Sequence, residues 1–309
     1  MTKLKSVWKS IDDGIFGYGS PLPMGVFRII IGVLSLADFA VLLVSFQDFF
    51  TEKGLYPVWM SERFSEGIPH FNLLAGVTDS RVTLVFLILG MVAAAMTALG
   101  LFTRVSSIAL FVLMLTIHNR NADILMAGDW LLRMWVFAVA VGPSGAVLSL
   151  DRKFFGRGKP VEEVSLWPQK LVQFQLAVVY FMTVWLKWGG DLWQNGTATY
   201  YAGHLKEFEK FPVPDFIYSP ILVTLATYGT LVVELGMATL VFSKPMRKYI
   251  IPLALLMHGY IEYSMNVPLF QWVIVSAFVC HYSGEEIAAW WARLQTRFGR
   301  VPEESVASA

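Results

Sequence analysis

The chain has 309 residues, of which 56% are hydrophobic and only 15% are charged, and its mean hydropathy is +0.56. Soluble domains carry roughly 25% charged residues, so this composition indicates an integral membrane protein. The 24 basic and 23 acidic residues give a net charge of +1, which excludes the strongly basic balance typical of nucleic-acid-binding proteins. Cys280 is the only cysteine, and this excludes an internal disulfide and any cysteine-based zinc or iron–sulfur site.

Apolar stretches long enough to cross a bilayer recur along the chain. A spanning helix needs about 20 mostly apolar residues. Eight stretches meet or approach this length: 24–46, 81–102, 104–118, 129–149, 170–188, 219–243, 247–265 and 266–284. The pattern predicts an all-α integral membrane protein, a bundle of about eight transmembrane helices. The second and third spans, and likewise the seventh and eighth, are so close in sequence that each pair is predicted to form a hairpin.

Lysine and arginine concentrate on one side of the predicted bundle. With eight spans and a cytoplasmic N-terminus, the inner segments hold fifteen of these residues and the outer segments hold six. Because basic residues accumulate on the cytoplasmic side of a membrane, both the N- and C-termini are predicted to be cytoplasmic. No apolar core with a small-residue cleavage site precedes the first span, which is therefore predicted to act as its own uncleaved insertion signal.

Three regions are predicted along the chain. A cytoplasmic N-terminal segment covers 1–20, a transmembrane domain covers 21–285, and an amphipathic cytoplasmic tail covers 286–309, where tryptophans stand among basic residues, as in helices that lie at a membrane surface. Two long outer segments, 47–80 and 189–218, mix aromatic residues, proline, glycine and charge. They are predicted to fold against the outer membrane face.

Several predicted spans carry ionisable residues. A charge at the bilayer centre costs at least ~2.5–3.5 kcal/mol on insertion scales, so each one needs a partner or a water-filled cavity. Arg28 and Glu234 fall in the inner half of the predicted topology and are predicted to form a structural ion pair. Six others fall in the outer half. Taken singly each is typical of a satisfied ion pair, but together they favour one outward-facing polar cavity: Asp38, Asp129, Arg133, Lys187, His258 and Glu262.

Lys187 follows the apolar run 180–186. Such surroundings desolvate the amine and favour its neutral form, the condition for a lysine to act as a base. The spacing is equally compatible with a side chain that snorkels to the outer interface. His118, His204 and His281 have no partners at metal-ligand spacing, and no nucleophile elbow or phosphate-binding glycine loop is present. No metal site is therefore predicted, and hydrolase and nucleotide-binding functions are disfavoured.

Short stretches between residues 20 and 285 occur in an order typical of one membrane family. They are Arg28-Ile29-Ile30-Ile31-Gly32 with Asp38, Glu52-Lys53-Gly54-Leu55-Tyr56-Pro57, Gly100-Leu101-Phe102-Thr103-Arg104, Asn119-Arg120-Asn121 before Gly128-Asp129-Trp130-Leu131-Leu132-Arg133, Ser149-Leu150-Asp151, and Lys187 through Ala198 with the later His258. Together they resemble the HTTM family, the horizontally transferred transmembrane domain related to vitamin K-dependent γ-carboxylase and to SdpB-type membrane proteins.

The resemblance implies a helical membrane domain with its site on the extracytoplasmic side. Lys187 falls at the lysine pair whose base deprotonates reduced vitamin K in the carboxylase, although the second lysine is Trp188 here. The carboxylase's active-site histidine would fall near Ala146. Lys187 and His258 are therefore the predicted catalytic residues, and the predicted ligand-binding residues are Asp38, Asp129, Arg133, Glu262 and Trp193.

The predicted function is a multi-pass protein of a bacterial inner membrane that binds a quinone-like or lipid-like molecule. If it is an enzyme, the resemblance implies proton-transfer chemistry of a carboxylase- and epoxidase-related oxidoreductase or lyase, with a quinone as the expected cofactor. The alternative is a non-catalytic partner in the maturation or export of a secreted peptide, as in SdpB-type proteins. A small-molecule transporter is a second alternative, but the sequence shows no inverted repeat. The expected partners are membrane lipid with a quinone or a peptide, and no nucleic acid.

Overall fold

A computed structural model of the chain describes residues 16–156 and 161–297, so the predicted segments 1–20 and 286–309 lie partly outside the described residues. The bundle and its tail are built from α1 (Leu22–Val44), α2 (Ser80–Leu99), α3 (Thr103–Arg120), α4 (Ala127–Val141), α5 (Trp167–Trp188), α6 (Pro220–Thr239), α7 (Lys244–Ser264), α8 (Phe270–Ser276) and α9 (Gly284–Arg297). Shorter elements are the helices Phe46–Phe49, Val58–Phe64, Leu150–Phe155, Asp191–Gln194 and Ala198–Gly203, and the 3₁₀ turns Lys206–Phe208, Asp215–Tyr218, Leu240–Phe242 and Ala277–His281. The prediction of an all-α architecture is confirmed.

Four helices within the described residues are long and apolar enough to cross a membrane: α1, α2, α5, and α6 with its 3₁₀ extension. Two predicted spans differ from the observed helices. The span predicted over 129–149 ends as a helix at Val141, and residues 142–149 form turns. The span predicted over 266–284 shortens to α8 and a 3₁₀ extension ending at His281, because the chain enters α8 through Leu269 with a φ of +58° and so begins the helix late.

Helices α1 and α2 form a close antiparallel pair, and small residues permit the approach. A Cβ atom built on Gly32 of α1 would lie only 2.5 Å from the backbone nitrogen of Ala98 in α2. Gly90 of α2 lies against the ring of Phe39 in the same way. Small residues at a helix interface let the two backbones approach and gain van der Waals contact. In a bilayer this contact drives helix association, because lipid tails are as apolar as the side chains and the hydrophobic effect between helices is absent.

Helix α4 lies at the centre of the bundle and contacts α1, α3, α5 and α8. Its Trp135 is fully buried and meets Phe27 of α1 edge to face, with the ring centroids 6.0 Å apart. The indole nitrogen of Trp135 donates a hydrogen bond of 3.0 Å to the carbonyl of Val273 in α8. An indole N–H buried among apolar side chains needs such an acceptor. This bond therefore fixes α4 against the second half of the chain.

The end of the bundle at which α1 and α5 begin is tied together by polar contacts. Strands β1 (Tyr18–Gly19) and β2 (Val164–Ser165) pair antiparallel and hold the starts of α1 and α5 together. Asp151 caps the first turn of α3, accepting hydrogen bonds of 2.7 Å from the backbone nitrogen and the hydroxyl of Thr103. Desolvation acts to raise the pKa of the Asp151 carboxyl, but these bonds and the Arg28 charge outweigh it and hold that pKa below its usual value.

The outer segment 189–218 is folded onto the first turns of α6. Thr199 donates a hydrogen bond of 3.0 Å to the carbonyl of Val223, and Tyr228 donates one of 2.7 Å to the carbonyl of Gln194. Because residues 194–199 follow the end of α5, the first turns of α6 extend beyond that end. Glu234, in the second half of α6, therefore lies level with the last turn of α5.

Candidate functional site

Ionisable side chains inside the bundle form two separate groups in the structure. One group lies between α5, α6, α7 and α8 and contains Lys187 and His258. The other lies between α1, α3 and α4 and contains Asp38 and Arg133. No hydrogen bond or ion pair joins the two groups within 16–156 and 161–297. The sequence predicted one cavity for all of these residues, and the structure divides them.

Lys187, in the last turn of α5, forms a hydrogen-bonded ion pair with Glu234 of α6. The lysine side chain is 26% exposed and the glutamate side chain only 8%. The hydroxyl of Thr183, one turn earlier on the same face of α5, lies 3.3 Å from the second carboxylate oxygen. The ring of Trp193 lies 5.0 Å from the ammonium nitrogen, close enough for a cation–π interaction. The amine is thus held between a buried carboxylate and an aromatic face.

A second chain of hydrogen bonds lies two turns deeper, on the same face of α5. The Tyr180 hydroxyl lies 2.7 Å from Nε2 of His258, and Nδ1 of His258 lies 2.5 Å from Oε1 of Gln271. A carboxamide oxygen can only accept, so Nδ1 carries the proton and Nε2 accepts from the tyrosine. All three side chains are buried. The arrangement fixes the tautomer of His258 and orients the Tyr180 hydroxyl.

The C-terminal end of α5 presents exposed apolar side chains around this group. Trp185 is 68% exposed, Leu186 70% and Trp188 58%. Exposed aromatic and aliphatic residues on a helix long and apolar enough to span a membrane are typical of a lipid-facing surface. The Lys187 amine therefore lies beside a surface that a lipid-soluble molecule can approach from within the bilayer.

The second group is a buried chain of Asp38, His118 and Arg133. Nε of Arg133 donates a hydrogen bond of 3.0 Å to Nδ1 of His118, so Nε2 of His118 carries a proton and donates to Oδ2 of Asp38, also at 3.0 Å. The guanidinium carbon of Arg133 lies 4.4 Å from the ring centroid of Trp130. Within the described residues, Nη2 of Arg133 is buried without a hydrogen-bond partner. These contacts hold α1, α3 and α4 together through one internal charge pair.

Two predicted ligand-binding residues lie outside both groups. Asp129 accepts a hydrogen bond of 2.7 Å from the backbone nitrogen of Met126 and so caps the start of its own helix. Glu262 forms an ion pair of 2.6 Å with Lys210 of the outer segment. Both carboxylates therefore have partners away from Lys187 and His258.

The predicted Arg28–Glu234 ion pair is wrong. Arg28 donates hydrogen bonds to the carbonyls of Ser144 and Leu148, at 2.9 and 2.5 Å, and to that of Val147 at 3.3 Å. Glu234 instead pairs with Lys187. Glu234 lies nearer the end of α5 than its position along the predicted span indicates, because the first turns of α6 extend beyond the end of α5.

Four hydrogen-bonded members of the two groups were not predicted from the sequence: His118, Tyr180, Thr183 and Gln271. Tyr180 and Lys187 are seven residues apart, hence two turns apart on one helix face, and this spacing was a usable signal. His118 carries no such signal, because its partners lie far along the chain. Within the described ranges, no three His, Cys, Asp or Glu side chains are placed to hold a metal ion. The side chains available to a ligand are thus bases, hydroxyls and aromatic rings.

These features define the class of protein: an all-helical membrane protein with ionisable side chains buried between its helices. The family model described as the HTTM domain matches residues 20–285. The chain therefore belongs to the HTTM domain family. No curated protein and no solved structure matches the chain.

Proposed function

We propose that this protein binds a lipid-soluble, quinone-like molecule at Lys187 and that the Lys187 amine takes a proton from a hydroxyl group of that molecule. The observation that carries the proposal is the Lys187–Glu234 pair. The Glu234 carboxylate is buried, whereas the Lys187 amine is partly exposed beside the apolar surface formed by Trp185, Leu186 and Trp188. A phenolic hydroxyl in a reduced quinone is an acidic O–H on an apolar ring. It suits a base placed at such a boundary.

The proposed topology has eight membrane crossings with both termini in the cytoplasm of a bacterium. The excess of inner over outer lysine and arginine residues supports this orientation. Helices α4 and α8 are shorter than the ~30 Å hydrocarbon core, but most of their side chains are buried by neighbouring helices. Their ends therefore meet protein instead of lipid. This is required because non-helical backbone within the hydrocarbon region must be shielded from lipid by other parts of the protein. In this orientation the Lys187 site faces the extracytoplasmic side.

The proton-transfer step is chemically simple. In the unliganded protein Lys187 and Glu234 form an ion pair. When an apolar ligand covers the pair and excludes water, the shared proton moves to the Glu234 carboxylate, since two neutral groups avoid the desolvation penalty of two charges. The Lys187 amine then has a free lone pair. It accepts the ligand's hydroxyl proton, so that one O–H bond breaks and one N–H bond forms, and the resulting ammonium stabilises the ligand oxyanion. No oxidant or reductant is needed for this step.

The neighbouring residues have distinct proposed roles. Trp193 stacks on or beside the ligand ring, because its own ring already lies at 5.0 Å from the amine. His258, hydrogen-bonded to Gln271 and Tyr180, is a second group that can exchange protons, two turns of α5 below the Lys187–Glu234 pair. Asp38 and Arg133 take a structural part in this proposal, because their hydrogen bonds are made with His118.

The experiment is a binding titration with a short-chain naphthohydroquinone on the purified protein in lipid nanodiscs. The chain has 11 tryptophans, so binding at the site is read from the part of the fluorescence quenching that Trp193→Phe removes. The ligand's absorbance reports loss of its hydroxyl proton. We expect Lys187→Met to weaken binding at least tenfold and to abolish the deprotonated-ligand spectrum. Lys170→Met is the matched control, because Lys170 lies at the opposite end of α5. Wild-type behaviour of Lys187→Met would refute the proposal and favour a non-catalytic partner of a secreted peptide.

A further inference from the structure

A cavity of about 240 Å³ lies between the outer segment 58–76 and the end of α3. It is separate from both groups of buried charges. Arg120, the last residue of α3, lies at the cavity, and its side chain is only 2% exposed. Glu62 lies on the exposed wall, and Val58 and Leu74, which are 5% and 1% exposed, provide an apolar wall. The volume is below that of drug-sized ligand sites, which run from ~300 Å³ upward.

Arg120 has too few hydrogen bonds for a buried guanidinium. The group carries five N–H donors, and among the described residues it makes one hydrogen bond, a long contact of 3.4 Å to the carbonyl of Tyr56. The nearest carboxylate oxygen, of Glu52, lies 3.7 Å away, beyond hydrogen-bond distance. Nε has no partner within the described residues. Buried polar groups are normally satisfied, so this arginine can donate hydrogen bonds to an oxygen atom of a ligand.

The opposite wall of the cavity carries negative charge. Glu66 is paired with Arg63 at 2.8 Å, whereas Glu62 makes no ion pair within the described parts of the chain. A ligand with only negative charge would be repelled by Glu52 and Glu62. A ligand with only positive charge would leave Arg120 unsatisfied and would be repelled by it. The cavity is therefore complementary to a small molecule that carries both charges.

We propose that this cavity binds a small zwitterion, a free α-amino acid with an apolar side chain. The carboxylate meets the guanidinium of Arg120, where a planar fork of donors matches two carboxylate oxygens. The ammonium group meets Glu62, and the apolar side chain lies against Val58 and Leu74. The site does not depend on the proposed chemistry at Lys187, since the two share no residue.

The test measures binding of L-leucine by isothermal titration calorimetry to the full-length protein in nanodiscs. Two analogues each lack one charge: 3-methylbutylamine lacks the carboxylate, and 4-methylpentanoate lacks the ammonium. We expect leucine to bind at least tenfold more tightly than either analogue. We expect Glu62→Gln to weaken leucine binding at least tenfold and to leave 4-methylpentanoate binding unchanged or stronger. Glu207→Gln, at an exposed glutamate outside the cavity, is the control and keeps wild-type binding.

Three results would overturn the proposal. They are no leucine binding to the wild-type protein, equal binding of leucine and its two analogues, and an unaltered leucine Kd in Glu62→Gln. Arg120→Lys is a second variant that keeps the charge and removes the planar fork. It is expected to weaken both leucine and 4-methylpentanoate. Because Glu62 is exposed, its variant keeps the proposal testable even where the buried arginine variant does not fold.

Discussion

Replacing Lys187 by methionine removes the cation from a buried ion pair. The Glu234 carboxylate, 8% exposed, then keeps one hydrogen-bond donor among the described residues, the hydroxyl of Thr183. Breaking a fully buried pair by removing one partner costs about 3–5 kcal/mol, because the remaining charge is uncompensated. We expect a loss near the lower limit, about 3 kcal/mol, since Thr183 can still donate a hydrogen bond to the carboxylate. Glu234→Leu should cost less, about 1–2 kcal/mol, because the lysine is 26% exposed and can turn toward water.

The double variant Lys187→Met/Glu234→Leu should lie within about 1 kcal/mol of the wild-type protein, since replacing both charges by apolar groups is often nearly neutral. The free energy of unfolding is measured by titrating detergent micelles with sodium dodecyl sulfate and following far-ultraviolet circular dichroism. A double-mutant cycle then gives the coupling between the two side chains. Equal losses for the two single variants, or strictly additive losses in the double variant, would refute the reasoning about asymmetric burial.

Three further predictions concern the scaffold. Asp151→Asn should lower the thermal unfolding temperature near neutral pH. Because the folded pKa of Asp151 is lowered, the contribution of its carboxylate to stability is present above the unfolded pKa of about 3.9 and disappears as the pH falls through the folded pKa. The unfolding temperatures of the variant and the wild-type protein should therefore converge in acid. Gly32→Ala should cost about 1–3 kcal/mol of unfolding free energy, because the added methyl group would overlap Ala98. His118→Phe should cost about 3 kcal/mol in the same micelle assay, since it leaves a carboxylate and a guanidinium buried without their shared partner.

Each of these predictions has a result that would contradict it. A constant difference between Asp151→Asn and the wild-type protein from pH 7 to pH 3 would exclude an ionised cap. Gly259→Ala is the control for Gly32→Ala, since a Cβ atom at Gly259 meets nothing within 4 Å; similar losses for both would indicate a general effect of helix substitution. Wild-type stability of His118→Phe would mean that Asp38 and Arg133 find other partners.

The helical content of the chain was predictable because spanning helices obey a length rule that the sequence displays directly. The first span was predicted at 24–46 and is observed at Leu22–Val44. The fourth was predicted to reach 149 but ends at Val141, because hydropathy alone does not register that Gly142 and Pro143 interrupt the helix and that the following carbonyls bind Arg28. Hydropathy thus locates apolar segments better than it locates their ends.

The site was less predictable, because it depends on the vertical offset between helices. The apolar run before Lys187 marks that lysine as a candidate, but the sequence does not identify Glu234 as its partner. Glu234 lies level with Lys187 in a bundle where Thr199, eleven residues beyond the end of α5, packs on the first turn of α6. Tertiary contacts made by a loop therefore decide which charges meet. A single sequence contains no direct record of that offset.

The most direct test of the proposed ligand site is photolabelling with a lipid-soluble azidoquinone in nanodiscs, followed by mass spectrometric mapping of the labelled peptides. We predict label on the end of α5 and on the Trp193 segment, displacement of that label by excess unlabelled quinone, and its loss in Lys187→Met but not in Lys170→Met. Label spread over lipid-exposed side chains of α2, such as Val85 and Val92, with no response to competing quinone or to the Lys187 variant, would contradict a quinone site at Lys187.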